Sequence, residues 1–433
     1  MICNLLPKSK AIYLYIFILL IFSSINTYAS VSLTEFLSGL PVENIKILDD
    51  ESFYDNILEV HFKQPIDHSD TTKGFFSQKL YISHYDSTKP VVLVTEGYSA
   101  NYYYTSEPAN ILKCNQIIAE HRYYGESKPD SIDWDYLNAW QSASDNHTII
   151  DAFKKFYPGE WITTGISKGG QSTIFHSYYY PDDADLRIPY VAPINNCVED
   201  LRIYDFLKNV GSKKCRNKIK TFQEMALARQ DELLPEFKRF SDRKNYTYKI
   251  VGGIEKAFEY CVLEYSFAFW QWGYASCSDI PGKNAPANLI ISHMNAVAGF
   301  DYFADSFIKE YRPFFYQSYS EMGYYGYNLQ EFDGYLRHVD DGTFQFALPK
   351  ETDIVFNDSL LRNVTSYLQG KASDYIFIYG EYDTWSATAV NLGENDYSSV
   401  FYKKKGSHRA RIRNMRERKQ EKIKKRMLEY LAN

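Results

Sequence analysis

Short apolar runs alternate with longer amphipathic stretches through roughly the first half of the chain, and their spacing predicts its architecture. Residues 57–63, 75–85 and 90–96 are rich in Val, Ile, Leu, Phe or Tyr, with polar or proline-bearing turns between them. Such runs predict three successive strands. Val91-Val-Leu-Val94 has no polar position, which suits a strand covered on both faces, and Gln116-Ile-Ile-Ala119 predicts another. Residues 137–156 have helical spacing and stop before Pro158. A strand over 160–164, a helix from Lys168 to around Tyr179 and a strand over 188–192 follow. This alternation predicts an α/β fold: a mostly parallel sheet with helices on both faces.

From around Cys197 the alternation stops. The stretch to Gly370 is helical in pattern and dense in aromatics, notably over 260–274 and 314–327. A strand resumes at Tyr375-Ile-Phe-Ile-Tyr379, and Val400-Phe-Tyr402 is strand-like. The middle block therefore reads as a helical cap, 197–370, inserted between two parts of the core, 30–196 and 371–433. A cap above the carboxyl ends of the strands would roof a site. The segment 409–426 is basic, and Ile412, Met415, Ile423, Met427 and Leu431 fall near one helical face. That predicts a terminal helix packed on the sheet with a solvated basic side. No internal repeat is present.

Composition narrows the classes. The 433 residues are 17% aromatic, with 39 Tyr, which favours a folded protein with an aromatic-lined cleft. A net charge of −6 argues against nucleic acid as the partner. At the amino end, Lys8 and Lys10, an apolar run over 11–22 and Thr27-Tyr-Ala29 predict a secretory signal over 1–29. The run is short for a bilayer span, so the processed chain is expected to be exported, with no stable membrane insertion. Export permits disulfides. Cys197 with Cys215 and Cys261 with Cys277 are the local pairs, each worth about 3 kcal/mol in the chain-entropy model, and Cys114 is left as a buried thiol. No Cys or His spacing points to a metal, and no cofactor is implied.

The chemistry concentrates at Gly165-x-Ser167-x-Gly169-Gly170, placed between a strand and a helix. This is the layout of a nucleophile elbow, a strained turn that needs small neighbours and lifts a serine hydroxyl above the sheet. A serine needs a base, and the base an orienting carboxylate. In α/β hydrolases these follow the serine in the order acid, then histidine. Asp383 lies just beyond the strand 375–379, with Glu381 the competitor nearer the strand, and His408 is the one histidine after Asp383. The expected oxyanion donors are the Lys168 N–H and an amide of Gly97 or Tyr98 in the loop after strand 90–96.

At these residues the chain resembles the secreted bacterial serine tripeptidyl aminopeptidases, relatives of prolyl carboxypeptidase and dipeptidyl peptidase II. The resemblance spans most of the chain after 1–29. It is carried by Phe62-x-Gln-Pro-x-Asp-His68, Glu120-His-Arg-Tyr-Tyr-Gly-Glu-Ser127, Leu137-x-x-x-Gln141-x-Ala143-x-Asp145, Gly165-Ile-Ser-Lys-Gly-Gly170, Tyr180-Pro-Asp-Asp-Ala-Asp185 and Tyr190-Val-Ala-Pro193. Lys168 stands where the carboxypeptidase branch usually has an aromatic. The resemblance implies an α/β-hydrolase core with an inserted helical cap. It also implies release of short peptides, tripeptides foremost and with proline before the cut, from free amino termini. Asp383 and His408 match the family's acid and base, whereas Thr384 stands where relatives tend to carry proline.

An exopeptidase must hold a charged terminus. For an amino terminus Glu96 is the first candidate, beside the oxyanion loop. Glu120 and Glu126 are weaker candidates for the same task, with pairing to Arg122 inside their motif as the alternative, and His121 reads as structural. Trp270 and Trp272 are candidates for a proline-sized pocket, with packing inside the cap as their simpler role. A proline-specific carboxypeptidase or dipeptidyl peptidase on the same scaffold and an esterase are alternatives. From a different class comes a catalytically inactive peptide-binding protein.

Overall fold

The computed structural model describes residues 32–49, 52–350 and 352–432, so the expected signal over 1–29 lies outside the described residues. The described residues fall into two units, one ending at Leu40 and the other beginning at Pro41. In the first, the helix Leu33–Ser38 is capped by Ser32, whose hydroxyl accepts the Glu35 N–H.

The second unit is built on one nine-stranded sheet. Its strands are β1 (Val42–Leu48), β2 (Asn56–Pro65), β3 (Phe75–His84), β4 (Val91–Thr95), β5 (Asn115–Ala119), β6 (Trp161–Ile166), β7 (Leu186–Tyr190), β8 (Ile376–Gly380) and β9 (Ser399–Lys403). The spatial order is β1-β2-β3-β5-β4-β6-β7-β8-β9. The first four strands in this order pair antiparallel, and every pairing from β5 onward is parallel. Every residue of β4, β5, β7 and β8 is buried; the apolar runs of β4 and β8 fit this directly, while β5 and β7 also bury Asn115, Gln116 and Arg187. The edge strand β1 has no buried residue, and its apolar positions, Val42, Ile45, Ile47 and Leu48, are split between both faces of the strand.

Both faces of the sheet are covered. On one, Ala109, Ile423, Met427 and Tyr430 join Val92, Val94, Ile162 and Ile378 in a single core. On the other, Ile174 and Phe175 of the helix Lys168–Tyr179 join Leu361, Val364 and Leu368 of the helix Ser359–Gly370 against Phe377 and Tyr379. That last helix packs on the sheet, although it falls within the segment 197–370 expected to cap it. Its leucines face the aromatic side of β8, which draws it into the core. The basic terminal segment is a 3₁₀ turn, Ile412–Asn414, and then a separate helix, Glu417–Leu431, rather than one continuous face.

Between β7 and β8 the described residues contain helices and no named strand, with an aromatic-rich core of their own. One disulfide, Cys215–Cys277, ties this region, and Cys114, Cys197 and Cys261 are free. This corrects both expected pairings. Cys261 lies fully buried inside the helix Ile254–Trp272 and Cys197 is exposed, while Cys215 and Cys277 are 62 residues apart in sequence with Cα atoms at 5.5 Å. A closed loop of that length is worth about 4 kcal/mol in the chain-entropy model, more than either local pair.

Candidate active site

The position of β4 fixes where chemistry can occur. The chain leaves β4 for β5 on one side and returns to β6 on the other, so the carboxyl ends of β4 and β6 meet at a switch point. There Ser167 follows β6 with φ 58° and ψ −120°, a conformation costly for a residue with a side chain, and the helix Lys168–Tyr179 starts at the next residue. Its amide bonds the Tyr190 carbonyl at 2.8 Å, and its hydroxyl does not cap the helix. The loop after β4 lies directly on this turn. A Cβ on Gly97 would sit 2.6 Å from the Gly169 nitrogen and 2.7 Å from the Lys168 Cβ. A Cβ on Gly165 would collide with the Gly169 carbonyl. Glycine at these two positions lets the loop and the elbow touch.

The Gly97 and Tyr98 N–H groups make no hydrogen bond among the described residues. The Lys168 N–H, at the first helical position, has no intrahelical acceptor. Three N–H groups without a protein acceptor thus lie on the elbow and on the loop packed against it.

Asp383 and His408 arrive from the loops after β8 and β9. Those loops are stitched together by Tyr382 N–H to Gly406 O at 2.7 Å. His408 Nδ1 lies 2.7 Å from Asp383 Oδ2, with both side chains buried. With Nδ1–H donating to the carboxylate, Nε2 is the free acceptor. The other carboxylate oxygen of Asp383 accepts the Trp385 N–H at 3.1 Å. Glu381, the competing acid, is exposed and accepts the Lys405 N–H, so it serves the turn. The helix Ile254–Trp272 braces both loops. Its Phe267 carbonyl accepts the Thr384 hydroxyl at 2.8 Å, and its Gln271 carbonyl accepts the His408 N–H at 2.7 Å. A proline at 384 would lack the first of these bonds.

Ser167 and His408 line one cavity of about 560 Å³, together with Glu96, Tyr98, Glu264 and Trp272. No hydrogen bond joins the Ser167 hydroxyl to the His408 ring in this structure. The Trp272 ring stands edge-on to the His408 ring at 5.6 Å. Trp270 does not line this cavity. It packs edge-on to Tyr382 at 5.4 Å and faces a second cavity beside Lys208 and Arg216. Along a helix, neighbours two apart point to different sides, which parts the two tryptophans.

Three carboxylates near the elbow are pushed up by burial. Glu96, half-buried, rises to about 7, opposed by the Tyr104 hydroxyl that donates to it at 2.6 Å. Glu264 rises to about 8, opposed by hydroxyl bonds from Tyr327 at 2.7 Å and Tyr325 at 2.8 Å. Glu321 rises to about 7 and accepts the Ala139 N–H. Burial also lowers the Lys168 ammonium to about 7, with Glu321 acting in opposition. That ammonium has no hydrogen-bond partner and lies 5.8 Å and 5.5 Å over the Tyr98 and Tyr124 rings. The sequence reading missed Glu264. Its signal was an acid in a largely apolar helical stretch, at i, i+3, i+7 spacing with Phe267 and Gln271.

The motif acids stand elsewhere. Glu120 is fully buried and accepts the amides of Ala100, Glu126 and Ser127. Glu120 and Glu126 both meet the Lys79 ammonium, at 3.4 Å and 2.8 Å, and not Arg122 as expected. Arg122 turns instead to Asp145, with two bonds of 2.7 Å, and His68 joins the same carboxylate at 2.8 Å. His121 is buried, bonded to the Arg122 carbonyl and the Ser142 hydroxyl, and does not line the main cavity.

Among the described residues no cluster of three or more His, Cys, Asp or Glu is placed to hold a metal, and no helix is long and apolar enough to cross a membrane.

The sheet order and the strained serine at its switch point define an α/β-hydrolase fold. Residues 36–432 match the PS-10 peptidase S37 family, and the chain belongs to that family of serine peptidases. A prolyl tri/tetrapeptidyl aminopeptidase of Streptomyces mobaraensis is 30% identical over 382 residues, covering 86% of this chain and 80% of that protein. The prolyl carboxy peptidase like protein 5 of Caenorhabditis elegans is 27% identical over 175 residues, 34% of each chain. Among solved structures, VinJ aligns over 86% of this chain and 98% of its own, with a TM-score of 0.41 and 12% identity.

Proposed function

We propose that this serine peptidase is an exported aminopeptidase that releases short peptides, tripeptides foremost and with proline before the cut, from free amino termini. Ser167 is the nucleophile, His408 the base and Asp383 the group that orients and charges the base. The observation that carries the reading is the 2.7 Å His408–Asp383 bond beside a strained Ser167 that lines the same cavity as the histidine. The Streptomyces mobaraensis relative, by its name a prolyl tri/tetrapeptidyl aminopeptidase, supports the direction of attack and the proline preference.

In the reaction, His408 Nε2 takes the Ser167 proton as the oxygen attacks the scissile carbonyl carbon. The carbonyl electron pair moves onto oxygen, where the Lys168 N–H and an amide of Gly97 or Tyr98 receive it. His408 then gives the proton to the leaving amine, the C–N bond breaks and an acyl-enzyme remains. Water, deprotonated by the same imidazole, attacks the ester carbonyl, and the imidazolium returns that proton to the Ser167 oxygen as the C–O bond breaks and the peptide acid leaves. Aromatic rings on the cavity wall, Trp272 and Tyr98 among them, offer flat apolar surface to a proline ring. Glu96, Glu264 and Asp301 line the cavity and are carboxylates within reach of an ammonium there. The Cys215–Cys277 disulfide is compatible with export.

The test is hydrolysis of Ala-Ala-Pro-anilide with a free and with an acetylated amine. Rapid cleavage of the free form and slow cleavage of the acetylated form is the expected result. Equal rates defeat the aminopeptidase reading, and release of the last residue from a long acetylated peptide favours a carboxypeptidase instead.

A further inference from the structure

We infer that Glu264 is the counter-charge for the substrate α-ammonium, and that its place on the helix Ile254–Trp272 sets the released peptide at three residues. The inference rests on the aminopeptidase reading above and adds which residue holds the terminus and why the step has that length.

Two buried acids on this helix differ in a telling way. Glu259 is saturated by the backbone amides of Arg337, His338 and Val339. Glu264, equally enclosed, makes no ion pair with a cation and lines the active-site cavity. Both of its hydrogen bonds, from the Tyr325 and Tyr327 hydroxyls, fall on Oε2, and none reaches Oε1 among the described residues. A buried acid without a cationic partner keeps its proton, and an ammonium brought beside it by the cavity favours the charged carboxylate, its proton going to solvent. The two hydroxyls hold the carboxylate in place, so its free oxygen is set before substrate arrives.

The helix also supplies a length. Glu264, Phe267 and Gln271 stand at i, i+3 and i+7 and all line the cavity, so one helical stripe runs along it. The Gln271 carbonyl holds the His408 N–H, which fixes the catalytic end of the stripe. Seven residues at 1.5 Å each place Glu264 about 10 Å further along the axis. Three extended residues also span roughly 10 Å. A terminus held at Glu264 therefore puts the third carbonyl beside Ser167 and His408. Glu96 adjoins Gly97 of the oxyanion loop, too near the reacting carbonyl for this task, and already holds the Tyr104 hydroxyl. Asp301 lines the cavity too, but is exposed, where a charge pair is worth little.

The experiment compares wild type, Glu264→Gln, Glu264→Asp and Glu96→Gln on anilides of Ala-Pro, Ala-Ala-Pro and Ala-Ala-Ala-Pro, each with free and acetylated amines. Thermal melting shows which variants are folded. Glu264→Gln is expected to raise KM for the free tripeptide at least about tenfold, the loss of one charged hydrogen bond, with a smaller change in kcat. It should also flatten both the preference for a free amine and the preference for three residues. Glu264→Asp, which keeps the charge, should restore much of the first preference. Unchanged preferences in folded Glu264→Gln overturn the inference alone, and their loss in Glu96→Gln instead assigns the terminus to Glu96. A wild type indifferent to acetylation overturns the aminopeptidase reading and this inference with it.

Discussion

The knot of charged groups around Glu120 and Asp145 and the active-site cavity both enclose carboxylates, and they treat them in opposite ways. In the knot, Asp145 takes two bonds from Arg122 and one from His68, and Glu120 takes three amides and the Ser127 hydroxyl, with Lys79 alongside. Little bonding capacity is left over. In the cavity, Glu96 has one tyrosine hydroxyl and Glu264 two. The knot joins residues from three separate motifs, so its job is to lock the scaffold. The cavity keeps capacity in reserve for a ligand. The densest sequence motif, Glu120 to Ser127, thus marks a brace and not the chemistry.

That contrast is open to attack, first where the effect is largest. Ser167→Ala and His408→Ala are each expected to lower kcat by about 10⁴-fold or more, with little change in the urea midpoint. A midpoint that falls in step with activity would place them in the scaffold after all. Arg122→Ala should do the reverse. It leaves the Asp145 carboxylate buried with His68 alone, and urea unfolding should show a loss of about 3–5 kcal/mol. A stable, inactive Arg122→Ala would erase the distinction between the two regions. Between these extremes stands Gly97→Ala. Its Cβ has no room against the elbow, so the oxyanion loop must shift, and a kcat loss of about 10²-fold is expected with KM less affected.

The smallest effect is electrostatic. Glu264, raised to about 8, keeps its proton in the folded state where the unfolded chain has already lost it. Between the ordinary carboxylate range and pH 8 the folded state binds more protons, so this group's contribution to stability declines as pH rises. Tyr325 and Tyr327 face it directly, and both stay protonated there because burial raises them further. The melting temperature of wild type should therefore fall relative to Glu264→Gln from pH 5 to pH 8. A difference that is flat across that range would mean Glu264 is not the desolvated acid described here.

The sequence was informative where the physical signal is local. Unbroken apolar runs marked β4 and β8, small residues around Ser167 marked the turn, and the order of Asp383 and His408 after β8 picked out two side chains that the structure brings to 2.7 Å. Where packing decides, the sequence was silent. β1 has no buried residue, and its apolar positions are split between both faces. The Cys215–Cys277 bond depends on how the helix Lys213–Ala228 lies against the turn after the helix Ile254–Trp272, not on spacing. Glu264 and Glu259 look alike in sequence, and only the fold shows that one meets backbone amides and the other a cavity. Lys79, which takes the motif acids, lies on β3, far in sequence from the motif it braces.

The central claim is that Ser167, activated by the His408–Asp383 pair, forms the covalent intermediate. Mass-spectrometric mapping of a fluorophosphonate adduct on the wild-type protein, repeated on His408→Ala, addresses it most directly. A single adduct on Ser167, nearly absent from folded His408→Ala, is the predicted result. An adduct on another residue, or undiminished labelling without the imidazole, would contradict it.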